Sequence, residues 1–289
     1  MFAHTRSATS AGLRVTASQS VWQGHTTTLR RLLAALLIAL APVAAVAWPS
    51  AAHATALLPV DLGTLGGGDS FSTAQNELGQ VAGASITSTG SQHPFLWSRA
   101  TGMADLGSLG GPAANSFPDA LSNTGQVVGF SFLSPTDLTF IHAFSWTRSG
   151  GMVDLGTLGG AVSEAAAINT SGQIAGASST AAGAFDAFSW TRGAGMTDLG
   201  TLGGGESEAS AVNSRGQIVG RSNPTGSPTL RHGGNSDAFS WTPHTGMVAL
   251  GSLGGTHDNA IAITNTGQVA GQSETSVGST HAVIWLTGP

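Results

Sequence analysis

Cysteine, tyrosine and lysine are absent from the 289 residues, and charged side chains make up only 9% of them. Without cysteine there is neither a disulfide nor a lipoprotein anchor. Without lysine, a glycine-rich phosphate loop lacks its usual cation. No helical periodicity appears after residue 55, and no Gly-x-Ser-x-Gly, His-x-His or His-Glu-x-x-His pattern occurs. All ten basic residues are arginine, and four of them precede residue 55. The six that follow face all fifteen acids, a balance of −9. So acidic a body argues against nucleic acid or an anionic membrane as partner, because both call for basic patches.

One apolar run exists. Arg30 and Arg31 precede LLAALLIALAPVAAVA at 32–47, interrupted by Pro42. Sixteen residues are short for a membrane span and suit a signal-peptide core. Ala-His-Ala at 52–54 supplies a cleavage site, so 1–54 reads as a leader and 55–289 as one exported domain, with nothing to hold it in a membrane.

That domain repeats. Leu-Gly-x-Leu-Gly-Gly phrases begin at Asp61, Asp105, Asp154 and Asp198, and again at Ala249 in place of Asp, at steps of 44 to 51 residues. A Gly-Gln phrase recurs at Gly79, Gly125, Gly172, Gly216 and Gly267. An aromatic phrase recurs as HPFLW at 93–97, HAFSW at 142–146, DAFSW at 186–190 and 237–241, and HAVIW at 281–285. Each repeat reads as four short strands. Strand A ends at Asn-Gly turn chemistry, strand B is the Gly-Gln phrase, strand C the aromatic phrase, and strand D runs through Met and Leu-Gly-x-Leu.

Four antiparallel strands in about 45 residues match one blade of a β-propeller. The fifth repeat stops after strand C, whereas 57–64 is a strand D with no A, B or C of its own. The two defects are complementary. The expected architecture is an all-β, five-bladed propeller closed by the N-terminal strand 57–64, which removes open sheet edges.

Along strand C, His or Asp, then Phe, then Trp share one face, and small residues share the other. Neighbouring blades should interlock, large onto small. Insertions fall only in D–A and B–C connections, the longest at 132–141 and 223–235, so one face is uniform and the other decorated. A decorated face often binds. It should carry His93, His142, Asp186, Asp237 and His281 at the strand C starts, and Asp69, Asn115, Glu206, His257 and Asp258 near the strand A starts. Arg231 and His232 lie in the longest loop.

For the His and Asp positions two readings stand, a ring of ligand-binding side chains or caps that bond locally. One position per blade gives separate sites and not one metal centre, so neither metal nor cofactor is expected. The Asp of the glycine phrase should brace its turn. Glycosidase chemistry needs two carboxylates about 5–10 Å apart. Asp69, Asp119, Glu164, Glu206, Glu208 and Asp258 lie on or near strand A, which leaves a central acid pair open.

His-Ala-Phe at 142–144 with Trp146, Gly-Gln-Ile-Ala-Gly at 172–176, and Leu-Gly-x-Leu-Gly-Gly together resemble the bacterial HAF-repeat proteins over residues 57–285. The resemblance implies export and brings no activity or catalytic residue. Asp186, Asp237, Pro94 and Val283 depart from its pattern. The expected function is a secreted, monomeric, non-enzymatic module that binds an extracellular glycan or surface protein through the decorated face. Alternatives are a propeller hydrolase with acids at the central channel, and a structural envelope or matrix component.

Overall fold

The computed structural model describes residues 57–227, 230 and 234–286. The chain divides into Met1–Leu58 and Pro59–Pro289; the architecture below is that of the second part. The leader and cleavage site expected within 1–54 fall outside the described residues, as do Arg231 and His232.

The described residues form nineteen strands and no α-helix. The first repeat holds β1 (Gly66–Gln75), β2 (Val81–Thr87), β3 (Gln92–Ser98) and β4 (Gly102–Asp105). The second holds β5 (Ser116–Leu121), β6 (Val127–Phe132), β7 (Ile141–Thr147) and β8 (Gly151–Asp154). The third holds β9 (Gly159–Ile168), β10 (Ile174–Thr180), β11 (Phe185–Thr191) and β12 (Gly195–Asp198). The fourth holds β13 (Gly203–Val212), β14 (Ile218–Pro224), β15 (Asp237–Thr242) and β16 (Gly246–Ala249), and the fifth β17 (Gly254–Ile263), β18 (Val269–Thr275) and β19 (Thr280–Trp285). Within a repeat, successive strands are antiparallel neighbours. A parallel contact between Ile141 of β7 and Val162 of β9 joins the second and third repeats into one eight-stranded sheet.

Strand D is shorter than the sequence pattern suggests. It stops at its fourth residue, Asp105, Asp154, Asp198 or Ala249, and where that residue is Asp its carboxylate braces the turn that follows. Gly107, Gly156 and Gly200 N–H groups donate to Asp105, Asp154 and Asp198 Oδ1 at 2.8, 2.7 and 2.7 Å. The Gly-Gly pair then belongs to strand A, opening β1, β9, β13 and β17. Between them, the second Leu of the phrase donates its N–H to a strand B serine. Leu109, Leu158, Leu202 and Leu253 bond Ser131, Ser178, Ser222 and Ser273 Oγ at 2.8–2.9 Å. The fixed serine is thus the anchor of the D–A connection.

The Gly that closes each Gly-Gln phrase is required by close approach. A Cβ at Gly176 would lie 2.0 Å from the Glu164 carbonyl oxygen and 2.9 Å from the Phe188 ring. Gly129 and Gly220 meet the Phe117 and Glu208 carbonyls at the same 2.0 Å. The strand A backbone can cross strand B this closely only where there is no side chain.

The core lies between repeats, not within them. Phe188 and Ile174 of the third repeat pack on Ala143 and Val128 of the second, with Leu155 from the connection. Phe144 of the second packs on Ala82 and Leu96 of the first, and Phe239 of the fourth on Ala175 and Ala187 of the third. Ala260, Val269 and Trp285 of the fifth pack on Val219 and Ala238 of the fourth. Large-on-small interlocking therefore holds at four successive interfaces.

Among the described residues no ladder joins 57–64 to β19. Residues 57–64 make no strand, and Leu57 and Leu58 are 98% and 81% exposed. The sheet of the fifth repeat ends at β19, whose Ile284 is 57% exposed. The contacts that hold residues 57–64 run to the first repeat, Leu65 N–H to Ser85 Oγ and Ser70 Oγ to the Gly63 carbonyl.

Phe188→Ala should lower unfolding stability by about 3–5 kcal/mol, read by urea denaturation. A loss under about 1 kcal/mol would contradict the inter-repeat core described above.

Candidate functional site

Strand C begins opposite the anchor serine of strand B, so each repeat places one His or Asp at this end of the sheet. His93 pairs with Ser85, His142 with Ser131, Asp186 with Ser178, Asp237 with Ser222 and His281 with Ser273. The side chain then meets the Asp that ends strand D. His93 Nδ1 lies 2.9 Å from Asp105 and His142 Nδ1 2.8 Å from Asp154. In the third repeat both partners are acids, and the Asp186 and Asp198 carboxyls hydrogen-bond each other. Burial, then Asp198 and Glu206, push Asp186 up to about 6. In the fourth repeat Ala249 replaces the acid of strand D, and burial followed by Asp258 raises Asp237. In the fifth no strand D is present among the described residues, and His281 is exposed.

These positions do not gather into one site. Those of the first three repeats bond locally, His93 with Asp105, His142 with Asp154 and Asp186 with Asp198. The remaining candidates behave alike. Asn115 Oδ1 accepts the Gln92 N–H at 2.8 Å and so ties the second repeat to β3. Asp69 contributes a backbone carbonyl to Ser85 Oγ. Glu206 is buried, and its carbonyl accepts Ser222 Oγ. Asp258 is buried and accepts the Glu274 N–H. His257 Nδ1 meets Glu274 at 3.0 Å, and Glu274 is held down to about 2, first by the Thr256 N–H, then by His257 and the Thr256 hydroxyl. No group of three His, Asp or Glu among the described residues is arranged to hold a metal ion.

The opposite ends of the repeats carry a second pattern, one that sequence reading passed over. The third residue after the fixed Ala, counting it, is Asn76, Ser122, Asn169, Asn213 or Thr264. Each Asn reaches into the next repeat. Asn76, Asn169 and Asn213 Nδ2 donate to the carbonyls of Ser122, Asn213 and Thr264 at 3.0, 2.9 and 3.1 Å. Where the next repeat has Ser-Asn or Thr-Asn, its Asn accepts a backbone N–H in return, Glu77 to Asn123 and Ser214 to Asn265. The Gln of the Gly-Gln phrase adds a bracket. Gln126, Gln173 and Gln217 Nε2 donate to Ser145, Ser189 and Ser240 of strand C at 2.7, 2.9 and 2.8 Å.

Two cavities open among these turns. One, of about 210 Å³, lies where the A–B turns of the second to fifth repeats meet, and its lining includes Ser122, Asn123, Asn169, Thr170, Ser214 and Asn265. It contains no carboxylate, so the strand A acids do not form a pair there. The other, of about 480 Å³, lies between the first and second repeats beside Arg148.

No protein-family model matches the chain, and no curated protein does. Among solved structures, TolB from Acinetobacter baumannii is similar at 16% identity and a TM-score of 0.45, over 71% of this chain and 48% of that one. The chain thus spans about half the length of TolB. A mutant of AofleA from Arthrobotrys oligospora is similar at 12% identity and a TM-score of 0.39, over 78% of this chain and 71% of that one.

The third repeat makes the fold pH-sensitive. Asp186 binds its proton more tightly folded, at about 6, than at its ordinary 3.8. The protonated pair is therefore fully present below 3.8, and its contribution is lost as pH rises to about 6. Asp186→His, which copies the first two repeats, should raise the melting temperature at pH 7 and not at pH 4. An equal shift at both pH values would count against the shared proton.

Proposed function

We propose that the mature chain is an extracytoplasmic, non-enzymatic binding module. It contacts a glycan through the face that carries the D–A and B–C connections. The observation that carries this reading is the contrast on that face. The His and Asp side chains of the first three aromatic phrases are taken up in local pairs, whereas Leu138 and Phe140 stand 47% exposed on the loop between β6 and β7. On β5 and β6, Phe117 stacks on Phe130 with ring centroids 5.1 Å apart, and Phe132 meets Phe130 edge-on at 6.5 Å. An exposed aromatic such as Phe140 suits the apolar face of a sugar ring, and repetition of weak contacts gives avidity.

We further propose a five-bladed propeller closed by 57–64. The register of the other repeats supports this. Phe144 lies opposite Asp154 and Phe188 opposite Asp198, which carried to β19 sets Val283 opposite Asp61 and Trp285 opposite Pro59. Leu106 N–H donates to the Pro94 carbonyl, so ladder bonds alternate and the Met103 position points its N–H outward. Pro59 falls at that position, where an edge strand tolerates proline. Asp61 already holds the strand D turn, accepting the Gly63 N–H at 2.9 Å, and would face His281 as Asp105 faces His93.

Deleting 55–64 should lower the melting temperature by roughly 10 °C; an unchanged value would sink closure. A glycan array should return neutral saccharide ligands that Phe140→Ala weakens without altering stability. An array with no hit would overturn the binding reading.

A further inference from the structure

The net charge of −9 after residue 54 conceals a segregation. Of the arginines among the described residues, Arg221 is paired with Glu208 at 2.7 Å. The other four lie in turns at one end of the repeats. Arg99, Arg148 and Arg192 each sit two residues after the strand C Trp, in the C–D turns, and Arg215 sits in the A–B turn of the fourth repeat. All four are exposed, and none has an ion pair among the described residues. In the A–B and C–D turns the single acid is Glu77. The turn face is therefore cationic on an acidic body.

One of these arginines stands in a cavity with an unused donor. In the second, third and fourth repeats the Gly-Gln glutamine donates Nε2 to a strand C serine. In the first repeat the aromatic phrase reads HPFLW, and Leu96 occupies the serine position. Gln80 Oε1 accepts Asn76 Nδ2 at 2.7 Å, but Gln80 Nε2 has no acceptor among the described residues. The cavity of about 480 Å³ is lined by Gln80 and buried Leu96 on one side, and by Thr124, Gln126, Arg148 and Ser149 on the other. Its volume falls within the usual range for ligand sites, about 300–1,000 Å³.

We propose that this turn face docks a carboxylated polysaccharide, with one sugar carboxylate on the Arg148 guanidinium in the cavity between the first and second repeats. The planar guanidinium binds a carboxylate with two parallel bonds. The amide of Gln80 and the hydroxyl of Ser149 supply hydrogen bonds for ring hydroxyls, and Leu96 supplies an apolar floor. Arg99 and Arg192 repeat the cation on the flanking repeats, which matches a polymer with regularly spaced charge. A lipid surface fits less well, because Leu78 is the one large apolar side chain exposed on the described A–B and C–D turns. A nucleic acid would need exposed aromatics for its bases, and these turns have none.

The inference rests on the reading of the chain as an extracytoplasmic binding module, but assigns it another face and a charged ligand. The test is calorimetric titration of the full chain with polygalacturonate, dextran and dextran sulfate, at low and at physiological salt. Polygalacturonate should bind and weaken with salt, and neutral dextran should not bind this face. Arg148→Gln should weaken polygalacturonate about ten-fold with an unchanged melting temperature. Leu96→Ser, which hands Gln80 its missing acceptor, should weaken it about three-fold with no change in charge. No polygalacturonate binding at low salt, or binding indifferent to Arg148→Gln, would overturn the proposal, as would dextran sulfate binding alone. A chain that binds neutral glycans through Phe140 and ignores polygalacturonate would keep the earlier reading and lose this one.

Discussion

Everything in this fold depends on the contact between the bulky face of one repeat and the small face of the repeat before it. A four-stranded sheet of this size cannot bury both its faces alone. Phe144, Phe188 and Phe239 are fully buried because Ala82, Ala143, Ala175 and Ala187 leave room for them. Each interface also takes a Leu from the D–A connection, Leu106, Leu155, Leu199 or Leu250. The connection is therefore part of the core, which is why the Leu-Gly-x-Leu phrase varies so little while the loops beyond it vary in length.

The strand order and the inter-repeat packing were legible in the sequence, because period-two alternation and turn residues are local signals. The phrase at 142–146 became strand C with Phe144 buried and Ala143 facing a neighbour, as its alternation indicates. Strand D was overestimated, because Asp-Leu-Gly looks extended in sequence while the strand in fact stops at the first residue of that phrase, Asp or Ala249 alike. Residues 57–64 carry the strand D pattern but form no ladder among the described residues.

The candidate site was legible in part. Its residues were found, but their partners were not, since the acids of strand D stand twelve residues from the His and Asp they meet. Reading the phrase as His-or-Asp hid that the pair, and not the residue, is the repeating element: His with Asp twice, then Asp with Asp, then Asp with Ala249. The arginines were counted as a total and so lost in a negative sum. Only their place in the turns, which requires the strands first, separates them from the acids.

The direction of the interlock has a consequence for a chain made from its N-terminus. Each new repeat arrives bearing its Phe and Trp and finds the Ala-rich face of its predecessor already laid down. In the second to fourth repeats the face left for the next one is alanine and serine, Ala143 and Ser145, Ala187 and Ser189, and Ala238 and Ser240. A chain that folds as it emerges would cover each aromatic face as its repeat forms.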